Sequence, residues 1–165
     1  MQYNPKGPAT RLRFGLALIG ALMALPAIAV CDTRSTSLKH AYADGFLIGT
    51  AVNTDIVSGK DAVSAALVAC HFNAITAENV MKAEVVAPRP GVFDFSAADA
   101  FVAYGRSRDM FVIGHTLVWH NQTPDWFFVD AQGNPNTADA QLERMRAHIE
   151  RVAGRYAGKV QAWDV

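Results

Sequence analysis

Met110-Phe111-Val112-Ile113-Gly114-His115-Thr116-Leu117-Val118-Trp119-His120-Asn121-Gln122 changes character in its middle. Its first part, Phe111-Val112-Ile113, is a short run of aromatic and β-branched residues, the composition of a strand covered on both faces. Its second part collects His115, Trp119, His120, Asn121 and Gln122 before Pro124 ends the segment. An imidazole, an indole and side-chain amides gathered just past a buried strand offer a polar and aromatic surface to a ligand. In parallel α/β folds, ligands lie outside the carboxyl ends of the strands. Alone, Trp119 or His115 reads more readily as a core residue; it is the combination that points to a site.

Working outward, strands and helices alternate. Residues 46–52 (Phe-Leu-Ile-Gly-Thr-Ala-Val) predict a first strand, with Gly49 marking a close backbone approach. Ser58 with Asp61 three residues on predicts a capped helix start, and Val63, Ala66, Leu67 and Cys70 predict that helix's buried face. Residues 72–76 predict a second strand running directly into Ala77-Glu78-Asn79-Val80-Met81-Lys82, and Pro88, Pro90 and Gly91 mark a loop. Ser96 and Asp99 predict the next helix start, with Ala100, Phe101 and Tyr104 as its apolar stripe. Beyond the third strand, at 111–113, Trp126-Phe127-Phe128 and residues 131–136 make a longer excursion. Thr137 then opens a helix striped by Leu142, Met145, Ile149, Val152 and Tyr156; Gly158 stops it, and residues 160–165 predict a fourth strand. The order βαβαβαβ predicts an α/β fold of parallel strands with three intervening helices. Barrels and doubly wound sheets share it. The first strand has no glycine-rich phosphate loop after it, which lowers the nucleotide-binding version.

The 165 residues carry 15 basic and 15 acidic side chains, and 51% are hydrophobic. Length and composition fit one globular unit at most, and a zero net charge argues against a nucleic-acid partner. The first segment stands apart. Lys6, Arg11 and Arg13 precede an apolar run at 14–30, and Ala27-Ile28-Ala29 is an Ala-x-Ala cleavage site. This is the layout of a secretory signal peptide over residues 1–29, which predicts a secreted or periplasmic protein with no membrane association after cleavage. A lipoprotein signal acting through Cys31 is the minor alternative. Export permits a disulfide between Cys31 and Cys70 without requiring one. Cys70-His71 with His115 and His120 does not match a zinc pattern, so no metal and no cofactor is expected.

Three motifs stand at the ends of predicted strands: Thr76-Ala77-Glu78-Asn79-Val80-Met81-Lys82; Gly114-His115-Thr116-Leu117-Val118-Trp119-His120, with Gln122 following; and Trp163-Asp164-Val165. In this order and spacing they resemble family 10 glycoside hydrolases, the endo-β-1,4-xylanases, as does Phe93-Asp94-Phe95 followed by Ala98-Asp99. The resemblance implies the N-terminal half of a (β/α)₈ TIM barrel, strands 1 to 4, and xylan or xylo-oligosaccharides as substrate. It implies that Glu78 and Asn79 hydrogen-bond the non-reducing-side xylose, and that Lys82 binds hydroxyls of the sugars next to the scissile bond. His115 would contact the sugar being cleaved from, Trp119 would floor that subsite, and Gln122 would add a polar contact. The residue types suit a sugar, whose hydroxyls ask for donors and acceptors and whose C–H faces ask for an indole wall. A solvated Glu78–Lys82 pair at i,i+4 is the plainer alternative. The family often has Trp after the lysine, where this chain has Ala83.

The resemblance also implies what residues 38–165 lack. In the family, Trp-Asp-Val continues to an Asn-Glu whose glutamate is the acid/base, and the nucleophile glutamate comes later still. Retaining cleavage needs both carboxylates. The expected organisation is therefore a signal peptide at 1–29, a short linker at 30–37 and a truncated catalytic domain at 38–165, inactive alone, with both catalytic glutamates beyond Val165. The complete enzyme is expected to be a monomer. The alternatives are a non-catalytic carbohydrate-binding protein and a half-barrel that assembles with another chain.

Overall fold

Four short strands lie parallel and in chain order in the computed structural model, which describes residues 37–165. They are β1 (Gly49–Val52), β2 (Ala74–Ala77), β3 (Phe111–Gly114) and β4 (Ala162–Trp163). Gly49 stands opposite Ala74, Ala74 opposite Phe111, and Ile113 opposite Ala162. Among the described strands the order never reverses, so they form no switch point of the doubly wound kind. The predicted signal peptide, Cys31 and all of the predicted linker except Ser37 lie outside the described residues.

Three long helices bridge consecutive strands, as the alternation predicts: α3 (Ala62–His71), α5 (Ser96–Arg106) and α6 (Ala138–Arg155). Three short helices accompany them, α1 (Leu38–Ala41), α2 (Thr54–Ser58) and α4 (Ala83–Val86). None of the described helices is long and apolar enough to cross a membrane.

Several local expectations are corrected. Ser58 does not start a helix; it ends α2, and Gly59 follows at φ +77°. Asp61 is the cap of α3, its carboxylate accepting from the Ser64 amide at 3.0 Å. Val63 and Leu67 are 64% and 50% exposed, while Val68 turns onto the sheet. Residues 62–70 are apolar nearly all round, so helical periodicity alone cannot choose the face. Cys70 is half-buried and held in a disulfide. Asp94, not Asp99, anchors the start of α5, accepting from the Ser96 amide at 2.9 Å and from its hydroxyl at 2.6 Å. Asp99 instead takes two hydrogen bonds from Arg155, at 2.9 and 2.5 Å, and one from the Tyr156 hydroxyl at 3.0 Å. Ala100 and Leu142 are exposed; Phe101, Tyr104, Val152 and Tyr156 are buried as their stripes predict. Thr137 caps α6 through the Ala140 amide at 3.2 Å.

The core lies between the sheet and its helices, where Val52, Ile75 and Val112 meet Val86, Phe101 and Tyr156. At Gly105 an added Cβ would stand 2.6 Å from Val112 Cγ2 and 2.8 Å from Ile75 Cδ1, so only glycine lets α5 lie this close to β2 and β3. Gly114 serves the same end on β3, where an added Cβ would land on the Trp163 indole.

Candidate functional site

The parallel register puts the carboxyl ends of all four strands on one side. The segments leaving β2, β3 and β4 there carry every candidate side chain. The Glu78 amide donates to the Val52 carbonyl at 3.1 Å, which fixes the chain leaving β2 against the end of β1. Glu78 itself is exposed, and it stays outside the hydrogen-bonded cluster that forms beside it.

That cluster centres on Lys82, which is only 7% exposed. Its ammonium donates to Asn79 Oδ1 at 2.8 Å and to Gln122 Oε1, and it lies 4.7 Å from the centre of the Trp119 ring. Gln122 Nε2 donates to Asn79 Oδ1 at 3.2 Å and to Glu84 Oε1 at 2.9 Å. An i,i+4 ion pair with Glu78 is thus not what Lys82 makes. Burying an ammonium is costly unless acceptors replace its water. Here two amide oxygens and an indole face do so, and they occupy two of the three N–H groups.

His115 stands next to Trp119, their ring centres 5.8 Å apart. Its Nδ1 lies 2.8 Å from Asp164 Oδ2. A carboxylate only accepts, so Nδ1 carries a proton, and Nε2 is left for a ligand hydroxyl. The β4 end holds this loop in place. The Asp164 carbonyl accepts from the Leu117 amide and from the Thr116 hydroxyl, each at 3.0 Å, and the Asp164 amide donates to Gly114 at 3.0 Å. The peptide bond between His115 and Thr116 is cis.

Asn79, Lys82, Trp119, Gln122 and His115 therefore come together, and Glu78 flanks them. Two further residues, which the sequence alone does not mark as site residues, belong to the arrangement. Asp164 orients His115; its place in the Trp163-Asp164-Val165 motif was the available signal. Glu84 is bonded to Gln122, and nothing in its local sequence marks it. Among the described residues no group of three or more His, Cys, Asp or Glu side chains gathers as a metal site would require.

Behind Trp119 lies a cavity of about 60 Å³ lined by Ala83, Leu117, Phe127, Met145 and His148. His148 is 4% exposed and packs edge-on to Phe127 at 5.4 Å. Neither ring nitrogen has a protein partner among the described residues, and burial pushes its pKa below the ordinary 6.5.

The sequence matches glycosyl hydrolase family 10 over residues 37–165. It is 44% identical over 134 residues to endo-1,4-beta-xylanase B of Paenibacillus barcinonensis, covering 81% of this chain and 39% of the relative. It is 46% identical over 130 residues to a beta-1,4-xylanase of Dictyoglomus thermophilum, covering 78% of this chain and 34% of that one. The crystal structure of the Paenibacillus barcinonensis xylanase XynB, complexed with a conduramine derivative, superposes with a TM-score of 0.73 at 44% identity, covering 81% of this chain and 39% of that one. A GH10 endoxylanase retrieved from sugarcane soil metagenome gives 0.74 at 43% identity, covering 78% and 38%. The four-stranded parallel sheet with its intervening helices matches the N-terminal half of a family 10 (β/α)₈ barrel. The chain spans about a third to two-fifths of the length of these relatives.

Proposed function

The chain belongs to glycosyl hydrolase family 10, and from that membership we propose that residues 38–165 form the sugar-gripping part of an endo-1,4-β-xylanase. The observation that carries this reading is the buried Lys82 ammonium. It is held by two amide oxygens and an indole at the carboxyl end of a parallel sheet, with one N–H left over. A buried cation with an unspent donor, beside an aromatic face and a histidine nitrogen, suits a ligand with many hydroxyls and no charge. In the proposed complex Lys82 donates its third N–H to a hydroxyl next to the scissile bond. Nε2 of His115 accepts a hydroxyl of the sugar being cleaved from, Trp119 floors that sugar, and Glu78 and Asn79 hold the neighbouring xylose.

Retaining cleavage proceeds by protonation of the leaving oxygen from one carboxylic acid and attack by a second carboxylate, the two about 5–5.5 Å apart. None of the described carboxylates is assigned either role. Asp164 is committed to His115, and Glu84 to Gln122. In this proposal both catalytic glutamates lie outside residues 38–165, which bind and orient substrate and do not cleave it alone. The grip contributes to catalysis through contacts that tighten as the sugar ring flattens toward the transition state, His115 foremost.

Export belongs to the same proposal. The basic start, the apolar run and Ala27-Ile28-Ala29 support cleavage after Ala29, and a disulfide at Cys70 suits an oxidising compartment. N-terminal sequencing of secreted material should begin at Val30; an intact Met1 would refute cleavage. The grip is tested by titrating the chain with xylotetraose and following tryptophan fluorescence. Saturable binding that weakens about tenfold or more in His115→Ala is expected, and a flat titration would refute the reading.

A further inference from the structure

The amide of Gln122 faces two charged groups of opposite sign, and only one orientation satisfies both. Lys82 only donates, so the group turned toward its ammonium must be Oε1. The Glu84 carboxylate only accepts, so the group 2.9 Å from its Oε1 must be the Nε2 amide. The second N–H of that amide goes to Asn79 Oδ1 at 3.2 Å, which the ammonium also reaches at 2.8 Å. A flipped amide would set N–H against the ammonium and oxygen against the carboxylate, both repulsive.

The Gln122 backbone is held equally firmly. Its φ is +49°, in the left-handed region that non-glycine residues seldom adopt. Its amide donates to Asn121 Oδ1 at 3.0 Å, and its carbonyl accepts from the Glu84 amide at 3.0 Å. Glu84 thus grips Gln122 twice, by main chain and by side chain, across 38 residues of sequence.

We propose that Glu84 is a positioning residue of the sugar grip: its carboxylate sets the direction of the Gln122 amide and so keeps an acceptor on the Lys82 ammonium. Glu84 touches no sugar in this scheme. It acts through Gln122, and its effect at the ligand is on the aim of the third Lys82 N–H. The inference rests on the xylan-binding reading. Glu84 has a competing role, since it is also the acidic residue in the first turn of α4, where a carboxylate favours the helix end whatever Gln122 does.

Two variants separate the roles. Glu84→Asp keeps a carboxylate in the first turn of α4 but withdraws it by one methylene from Gln122. Glu84→Gln keeps the length and lets either end of the new amide face Gln122. The full chain is titrated with xylotetraose, and its side-chain amide protons are followed by ¹⁵N-edited NMR, with those of Gln122 assigned by their loss in Gln122→Ala. Both Glu84 variants should bind about tenfold more weakly, with melting temperatures within about 3 °C of the parent. Both should move the Gln122 amide signals and speed their solvent exchange. Glu84→Gln combined with Gln122→Ala should bind no worse than Gln122→Ala alone, because the carboxylate acts only through that amide. Unmoved Gln122 amide signals, wild-type affinity in Glu84→Asp, or additive losses in the double variant would overturn the inference. If the parent chain binds no xylotetraose, the xylan-binding reading fails, and the inference about Glu84 as part of a sugar grip falls with it. The amide signals then still report whether Glu84 orients Gln122.

Discussion

Lys82→Met separates what the lysine does for the fold from what it does for a ligand. Methionine keeps most of the length and the apolar stem of a side chain that is 7% exposed. The change removes two charge-assisted hydrogen bonds, to Asn79 Oδ1 at 2.8 Å and to Gln122 Oε1. They replace the water that the ammonium gives up on burial. The substitution also removes the cation over Trp119 at 4.7 Å, worth about 1 kcal/mol. Against this stands the cost of keeping an ammonium out of water, several kcal/mol in a protein interior. Asn79 Oδ1 keeps its bond from Gln122 Nε2 at 3.2 Å, so one of the two acceptors is not orphaned. The opposing contributions nearly cancel, and unfolding free energy should change by about 1 kcal/mol in either direction. The ligand has no such compensation. Losing the third N–H removes one charge-assisted bond to a hydroxyl, about 1.5–3 kcal/mol, or roughly 10- to 150-fold in affinity. Urea unfolding monitored by tryptophan fluorescence gives the first quantity, and xylotetraose titration gives the second. A loss of more than about 3 kcal/mol in stability would make Lys82 a structural residue. Unchanged affinity would refute its place in the grip.

Three further outcomes follow from the packing. Because burial holds the His148 imidazole below 6.5, the unfolded chain takes up that proton first, and stability should fall as pH drops below about 6.5. His148→Gln should flatten the change in urea midpoint between about pH 7.5 and 5.5, and an unaltered slope would refute this. Gly105→Ala forces a Cβ to within 2.6 Å of Val112 Cγ2 and should cost about 1–3 kcal/mol by thermal melting; an unchanged melting temperature would contradict the close approach of α5. The Arg155 guanidinium holds the Asp99 carboxyl below its usual 3.8, so this pair contributes stability above that pH and loses it as pH falls through the lowered value. Both side chains are over 40% exposed, so the contribution is about 1 kcal/mol or less. Asp99→Asn should lower stability near neutrality by that amount and soften the acid limb of unfolding; an unchanged acid limb would refute the assignment.

The arrangement of strands was legible because the helical stripes at 101–104 and 149–156 and the apolar run at 111–113 repeat in strict alternation, and parallel strands with crossover helices are the economical packing for that order. The side of the sheet that carries the site was legible for the same reason, since each polar cluster follows a strand. What stayed hidden depends on partners far away in sequence. Val63 and Leu67 look inward by periodicity, but α3 is apolar on nearly every side and the sheet took Val68. Asp99 sits where a capping residue would, but Arg155 and Tyr156, 56 and 57 residues on, claim its carboxylate and leave the cap to Asp94. Within the site, Asn79, Lys82 and Gln122 read locally as separate sugar contacts; Lys82 meets Asn79 only three residues away, but Gln122 reaches both only when the segments leaving β2 and β3 lie side by side. Asp164 and Glu84 escaped as partners because each meets its residue across 49 and 38 positions, and no local spacing signals such a pair.

The central claim, that these residues grip xylan for carboxylates supplied elsewhere in a family 10 barrel, is tested most directly by transplantation. Residues 37–165 would replace the matched segment of endo-1,4-beta-xylanase B of Paenibacillus barcinonensis, and reducing-sugar release from xylan would be measured for the chimera and for residues 37–165 alone. The expected result is hydrolysis by the chimera, lost about 100-fold or more in kcat/KM on His115→Ala, and none by residues 37–165 alone. A folded chimera without activity, or xylan hydrolysis by residues 37–165 alone, would contradict it.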